Sequence, residues 1–563
     1  MSASKDILDL RLAGELLLED AQWMTCNAAR ILDLYDLFVE NLVKENDLTG
    51  LQLLLNVSCR NPYQSSMLDC LFRLELLKFR LRERVSYSKI LIDKIEMKKP
   101  VQDLLAKHGL VEASVVVSAK TLPISIVILR NILKSAYGML NDLFWSRLYK
   151  AKKLPLNEIV FVDSFMFSNS IDAKGNFADR YYTGYDQHLT ESEINNLWFA
   201  PTLANIRTLG EYRKVFSNIS KCNSNLLIQE SWLGVIDYLA SIKSSLSIPK
   251  KVCRLSPVLS HDLEQLAINE SRRQIGSFAL VKAINKYRFI DRLFRAGVEI
   301  SGVVDWNENQ VIDRALNLGF KAFYPDVHVR GYQCFMVPKY YACAEPKEFE
   351  KRLGTLPHSY HVFGESAHAA TVRVRQFMDV KLSPAFRFSY LNRVVRKITQ
   401  PPIILFVMPI ILDESRKLID LCLSFLETSG REYDVIVKIH PSFSSRQFQK
   451  AIPASRDPRI KITTLGMSDL FSSISVLVSV TSSACAESSA MGIPVAILGN
   501  LSGPTMSPIP QLIPDHYSAT CYSLANLIEF ISNSLTGRKL DPLVKNILHP
   551  TDRLGTTDLF VFD

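Results

Sequence analysis

Glycine is scarce in this chain, with 22 residues in 563. That excludes a collagen-like or glycine-rich linker architecture. The ten cysteines form no CxxC pair and show no zinc-ligand spacing, so they read as reduced thiols of a cytosolic protein. The opening MSASKDILDLRLAGELLLED carries acids and has no long apolar core, which predicts no signal peptide. No GxGxxG follows a first strand and no GxxxxGK[ST] occurs, so the dinucleotide and P-loop readings lack their motifs. GxSxG and HExxH are missing too, and no acid pair sits in a loop suited to a metal. No metal and no cofactor are expected. Basic residues exceed acidic ones by only nine, 66 against 57, and no basic block is interleaved with aromatics. A nucleic-acid partner is therefore not expected. A mild positive excess equally suits an anionic membrane or anionic sugar nucleotides.

What is present is a long apolar-rich chain, 47% hydrophobic, sized for two or three domains. Residues 1–150 read as a mainly helical region: ILDLYDLFVENLVKEN and MLDCLFRLELLKFRLRERV have helical apolar spacing. SKILIDKI and ASVVVSA are short strand candidates within it. The most apolar stretch, residues 122–145, is broken by Arg130, Lys134 and Asp142, so it cannot span a bilayer. A buried amphipathic helix is its commoner reading. A helix lying on a membrane surface, with Lys150, Lys152 and Lys153 close behind, is the alternative.

Strands alternate with helices from LNEIVFVDSF onward, which predicts parallel α/β structure. Residues 156–392 form one Rossmann-like unit and 401–540 a second, cleaner one, joined by the linker RVVRKITQPP. In the second unit the strand DVIVKI ends on His440-Pro441. The strand SVLVSV ends on Thr481-Ser482-Ser483, which opens a helix carrying Glu487. Ligands of parallel sheets bind beyond such strand ends. A helix N-terminus with hydroxyls suits a phosphate, and a protonated His440 would donate to it. Pro441 fixes the backbone as it leaves the strand. Glu487 suits ribose hydroxyls. A serine pair before a helix is also an ordinary N-cap, and a strand-end histidine is common.

With its HP motif, its SS motif and two α/β units, the chain resembles the GT-B glycosyltransferases that build bacterial surface polysaccharides. Polysialyltransferase-like and Kdo-transferase-like enzymes are the nearest of these. The resemblance covers about residues 156–535 and includes DWNENQVIDRAL, PHSYHVFGESAHAATVR and MPIILDESRK. The acidic-acidic-glycine motif of polysialyltransferases is absent. The resemblance implies an inverting, metal-independent transfer from a CMP-activated acidic sugar (a nonulosonic acid or Kdo) to a lipid-linked or polysaccharide acceptor. The enzyme would be cytoplasmic, or peripheral on the inner face of the membrane. His440 and Pro441 would hold the nucleotide, and Thr481, Ser482 and Ser483 its phosphate.

An inverting transfer needs a base near the acceptor hydroxyl. Glu308 and Asp305, at the end of the strand VVDW, are the two candidates, while an acid at the position of Glu308 is also an ordinary cap for the next helix. Arg180 and Arg387 are placed to meet a carboxylate or the acceptor, and Tyr181, Tyr182 and Tyr185 to stack on sugar rings. Gly364-Glu365 marks another turn of the kind that faces the cleft. Two other reactions fit the same motifs: polyol-phosphate transfer from CDP-glycerol or CDP-ribitol, and UDP-sugar 2-epimerisation. A non-catalytic scaffold is the remaining alternative.

Overall fold

Three parallel sheets organise the computed structural model. It describes residues 7–562 apart from 111, 119–121, 150–157, 173, 207, 260, 334, 398, 430–432, 511 and 537–539. Lys150, Lys152 and Lys153 fall outside the described residues. The first sheet is small: β1 (Ile7–Asp9), β2 (Lys89–Ile92) and β3 (Ser114–Val117), in that order. Around it lie α1 (Leu18–Glu45), α2 (Met67–Arg82) and α3 (Lys98–Lys107). Leu, Ile and Val at helical spacing on α1 and α2 interlock in one apolar core with β2. Both strand candidates in SKILIDKI and ASVVVSA are therefore strands. The third, Ile7–Asp9, is too short to show a period. The N-terminal region is mainly helical but built on a parallel sheet.

The second sheet has the order β5 (Leu197–Leu203), β4 (Ile159–Met166), β6 (Ile300–Trp306), β7 (His328–Gln333), β8 (Ser359–Val362), β9 (Asp379–Leu382). The third has the order β12 (Lys461–Thr463), β11 (Asp434–Lys438), β10 (Ile403–Val407), β13 (Ile474–Ser479), β14 (Val495–Leu498), β15 (Ser518–Cys521). Every pairing is parallel. Side chains alternate across each strand. On β10, Ile404 and Phe406 enter one apolar cluster, while Leu405 and Val407 enter another. Burial on both faces is why these strands read as unbroken apolar runs. The fold is α/β: two Rossmann-like units with an additional N-terminal region.

Three connections bind the units. Residues 386–393 are a 3-10 segment whose Phe386, Phe388 and Leu391 join a core shared by both large sheets. After the third sheet the chain returns to the second: the helix Arg553–Phe560 packs Phe560 against Tyr182, Tyr185 and Phe386. The sequence pattern gave no sign of this return. Finally, Arg60 of the N-terminal region is fully buried and bonds Glu350 at 2.9 Å and Asp36 at 3.0 Å. Arg314 grips the other oxygen of Glu350, so an Arg–Glu–Arg set ties the N-terminal region to the second sheet.

Residues 122–145 correct an expectation. They contribute to a helix, α4 (Ile124–Leu148), that is not an ordinary buried amphipathic one. Its buried residues are Ser135, Gly138, Asn141, Asp142 and Ser146; Met139, Leu143 and Trp145 pack partly against the cores, and seven other large apolar side chains face outward. No described helix is long and apolar enough to cross a membrane.

Candidate active site

The strand order reverses between β4 and β6 in the second sheet, and between β10 and β13 in the third. Such reversals open a crevice beyond the carboxyl ends of the strands. β4 leads into the loop carrying Arg180 and Tyr181. β6 leads into Glu308, β11 into His440, and β13 into Thr481 and Ser482.

These residues close a ring across the cleft. Arg180 donates to the Tyr181 hydroxyl at 2.9 Å and stacks its guanidinium 3.8 Å over Phe167. Arg387 lies 5.7 Å from the centre of the Tyr181 ring. Arg387 is also near enough to stabilise the Glu308 carboxylate. Arg180 and Lys438 both reach His440 electrostatically. Lys438 in turn feels Glu487, and Glu487 accepts the Tyr390 hydroxyl. Three cations, Arg180, Arg387 and Lys438, thus lie near two carboxylates, Glu308 and Glu487. That balance favours an anionic ligand.

Each member is tuned by what surrounds it. Burial pushes the Glu308 carboxyl above its ordinary range, against donors from Trp306 Nε1 at 3.2 Å and Gln310 Nε2. A raised carboxyl is a better proton acceptor near neutrality. Burial, Lys438 and Arg180 hold His440 below its ordinary 6.5. The Ser442 N–H donates to His440 Nδ1 at 3.2 Å, so the neutral ring carries its proton on Nε2. Burial and these two cationic neighbours disfavour a second proton on the ring. Ser482 caps the helix Ser483–Ala490 by accepting the Ala484 N–H at 3.3 Å. A capping hydroxyl still has its hydrogen to donate. Tyr390 was missed in the sequence, because nothing in SPAFRFSYL signals a partner nearly a hundred residues away.

Other expectations fail on geometry. Asp305 is fully buried and turned to the opposite face of β6 from Trp306, so it cannot reach an acceptor. Its Oδ2 accepts Asn307 and Asn317, each at 2.9 Å, and its Oδ1 has no hydrogen-bond partner among the described residues. Tyr182 is buried against Trp306 and Tyr332, and Tyr185 packs on Phe199 and Phe560. Tyr182 is fully buried and offers no face to a sugar, while Tyr185 is half-buried. Tyr181 keeps 8% of its surface and leans on Trp306 with ring centres 4.1 Å apart. Gly364 is pressed against the chain: a Cβ there would meet the carbonyl oxygen of Ile547 at 2.0 Å.

Among the described residues one set of carboxylates is close enough to share a cation. Asp163, Asp305 and Asp313 bring oxygens within 4.8 Å of one another. Lys286 already supplies a positive charge there, 2.5 Å from Asp163. Burial and the neighbouring Asp163 push Asp305 up to about 7. The cluster lies under the sheet rather than in the ring.

No protein-family model and no curated protein matches the sequence. Solved structures share its outline at low identity. The UDP-GlcNAc 2-epimerase of Neisseria meningitidis bound to UDP-GlcNAc is 11% identical, with 72% of this chain and 98% of that one covered and a TM-score of 0.39. The lipopolysaccharide outer core galactosyltransferase WaaB is 13% identical over 71% of this chain and 98% of that one, with a TM-score of 0.38. A UGT transferase from Siraitia grosvenorii in complex with UDP is 11% identical over 72% and 99%, with a TM-score of 0.36.

Proposed function

We propose that this chain is an inverting glycosyltransferase that takes an acidic sugar from a CMP-activated donor. One observation carries the reading. Arg387 acts on Glu308 of one unit and lies by Tyr181, which Arg180 bonds, and Arg180 acts on His440 of the other unit. In this reading the nucleotide lies against His440, Pro441 and the Thr481–Ser483 turn, with ribose at Glu487. The neutral His440 Nε2–H donates to the phosphate, and the helix N-terminus adds its dipole. Arg180 and Arg387 hold the donor carboxylate. Glu308 takes the proton from the acceptor hydroxyl as that oxygen attacks the anomeric carbon and CMP departs. A surface-polysaccharide chain, free or lipid-linked, is the acceptor class.

Thermal unfolding with CMP, CDP, UDP, GDP and ADP tests this, with and without EDTA. A ligand held only by the folded state at a hundred times its Kd adds about 2.7 kcal/mol. The expected result is a shift with CMP that EDTA leaves alone and His440→Ala removes. A shift with UDP alone overturns the donor and favours epimerisation or another sugar. No shift with any nucleotide overturns the site.

A further inference from the structure

α4 is built inside out. Toward the protein it turns Ser135, Gly138, Asn141, Asp142 and Ser146, with Met139, Leu143 and Trp145 packed partly against the cores beside them. Asn131 donates to the carbonyls of Arg273 and Ile275 at 2.9 and 3.1 Å, and Ser135 to that of Gly276 at 2.8 Å. Gly138 presses so closely on Phe278 that a Cβ would lie 2.3 Å from its ring. Polar bonds and close packing thus fix the helix in place. The outward face carries Ile126, Leu129, Leu133, Tyr137, Leu140, Phe144 and Leu148, exposed by 44% to 63%. On a neighbouring helix, Val235–Ser247, the residues Val235, Ile236 and Leu239 are exposed as well.

Steps of three, four and four residues repeat along this face, a period of eleven. That period follows a nearly straight helix closely, so the stripe runs along one side for about 33 Å. Exposed apolar patches of this extent mark interaction surfaces. Charge indicates which surface. Within α4 the exposed charges are Arg130, Lys134 and Arg147, and the one acid, Asp142, is buried. Lys243 is exposed on the neighbouring helix. Two copies of this face brought together would set basic flanks against basic flanks with no exposed acid on α4 to pair them. A flat apolar surface edged by anionic headgroups satisfies both features.

We infer that α4, with the start of Val235–Ser247, is a docking face for an anionic lipid bilayer. The helix lies in the interfacial plane, its apolar stripe among the acyl chains and its basic residues at the headgroups. This holds whichever nucleotide the cleft takes.

Co-sedimentation of the purified full chain with phosphatidylglycerol-containing vesicles, and with phosphatidylcholine vesicles, tests it. The expected result is binding to the anionic vesicles that weakens as salt is raised. Leu133→Glu with Leu140→Glu should weaken it by at least about tenfold. Both positions are exposed, so the melting temperature should be kept. Arg130→Ala with Lys134→Ala leaves the stripe intact and should remove about fivefold for each charge. Absence of vesicle binding by the wild-type chain overturns the inference. So does equal binding by the glutamate variant. A wild-type dimer that the glutamate variant converts to monomer, without vesicle binding, makes a second copy the occupant and overturns it too.

Discussion

Replacing Asp305 by asparagine should stabilise this protein, and increasingly so as pH rises. Asp305 is fully buried, with Asp163 and Asp313 close by and Lys286 as the nearby cation. Burial and the Asp163 charge raise its carboxyl to about 7. The folded protein therefore holds this proton more tightly than the unfolded chain does. Stability from the group is fully present below pH 3.8 and is lost as pH climbs to about 7. The whole shift corresponds to about 4 kcal/mol, of which about 3 kcal/mol falls between pH 5 and pH 8. Asparagine is neutral throughout and keeps an oxygen for the Asn307 and Asn317 donors. Urea unfolding of both proteins at pH 5, 6, 7 and 8 measures the difference. The advantage of Asp305→Asn should grow by roughly that amount and flatten above pH 7. A difference that stays level with pH, or that reverses, refutes the reasoning. Turnover should survive the substitution, because Asp305 has no access to the cleft.

Glu308→Gln should lower kcat by about 10²- to 10⁴-fold while leaving the melting temperature unchanged. In the wild type, kcat/KM should fall on the acid side from a pH above the usual glutamate range, since burial raises this carboxyl; an unaltered rate for Glu308→Gln removes it as base. Glu350→Ala leaves Arg60 and Arg314 buried without their shared carboxylate and should cost about 3–5 kcal/mol in urea unfolding. The arginines hold Glu350 below its ordinary 4.5, so its contribution is present above that pH and is lost as pH falls through the depressed value. A loss under about 1 kcal/mol would mean the set is not what joins the N-terminal region to the second sheet.

By itself the sequence determined the parallel α/β class and most strands of the two large sheets, because strands covered on both faces must be continuously apolar; Leu197–Leu203 and Ser518–Cys521 were not among them. It also determined that His440 and Ser482 stand at strand ends, since His-Pro and Ser-Ser punctuation follow directly from the chain. Local pattern could not separate Asp305 from Glu308, three residues apart in one loop entry. The alternation of β6 decided it, turning Asp305 into a buried carboxylate cluster while Glu308 emerged beside Arg387. Tyr390 beside Glu487, the return of Arg553–Phe560 to the second sheet, and the link from Arg60 to Glu350 join residues tens to hundreds apart. No spacing rule reaches that far. The apolar character of residues 122–145 was plain in the sequence, but its direction was not. A helix's apolar stripe is the same whether it faces a core or faces outward. Only the packing of Ser135 and Gly138 onto the body of the protein shows which way it points.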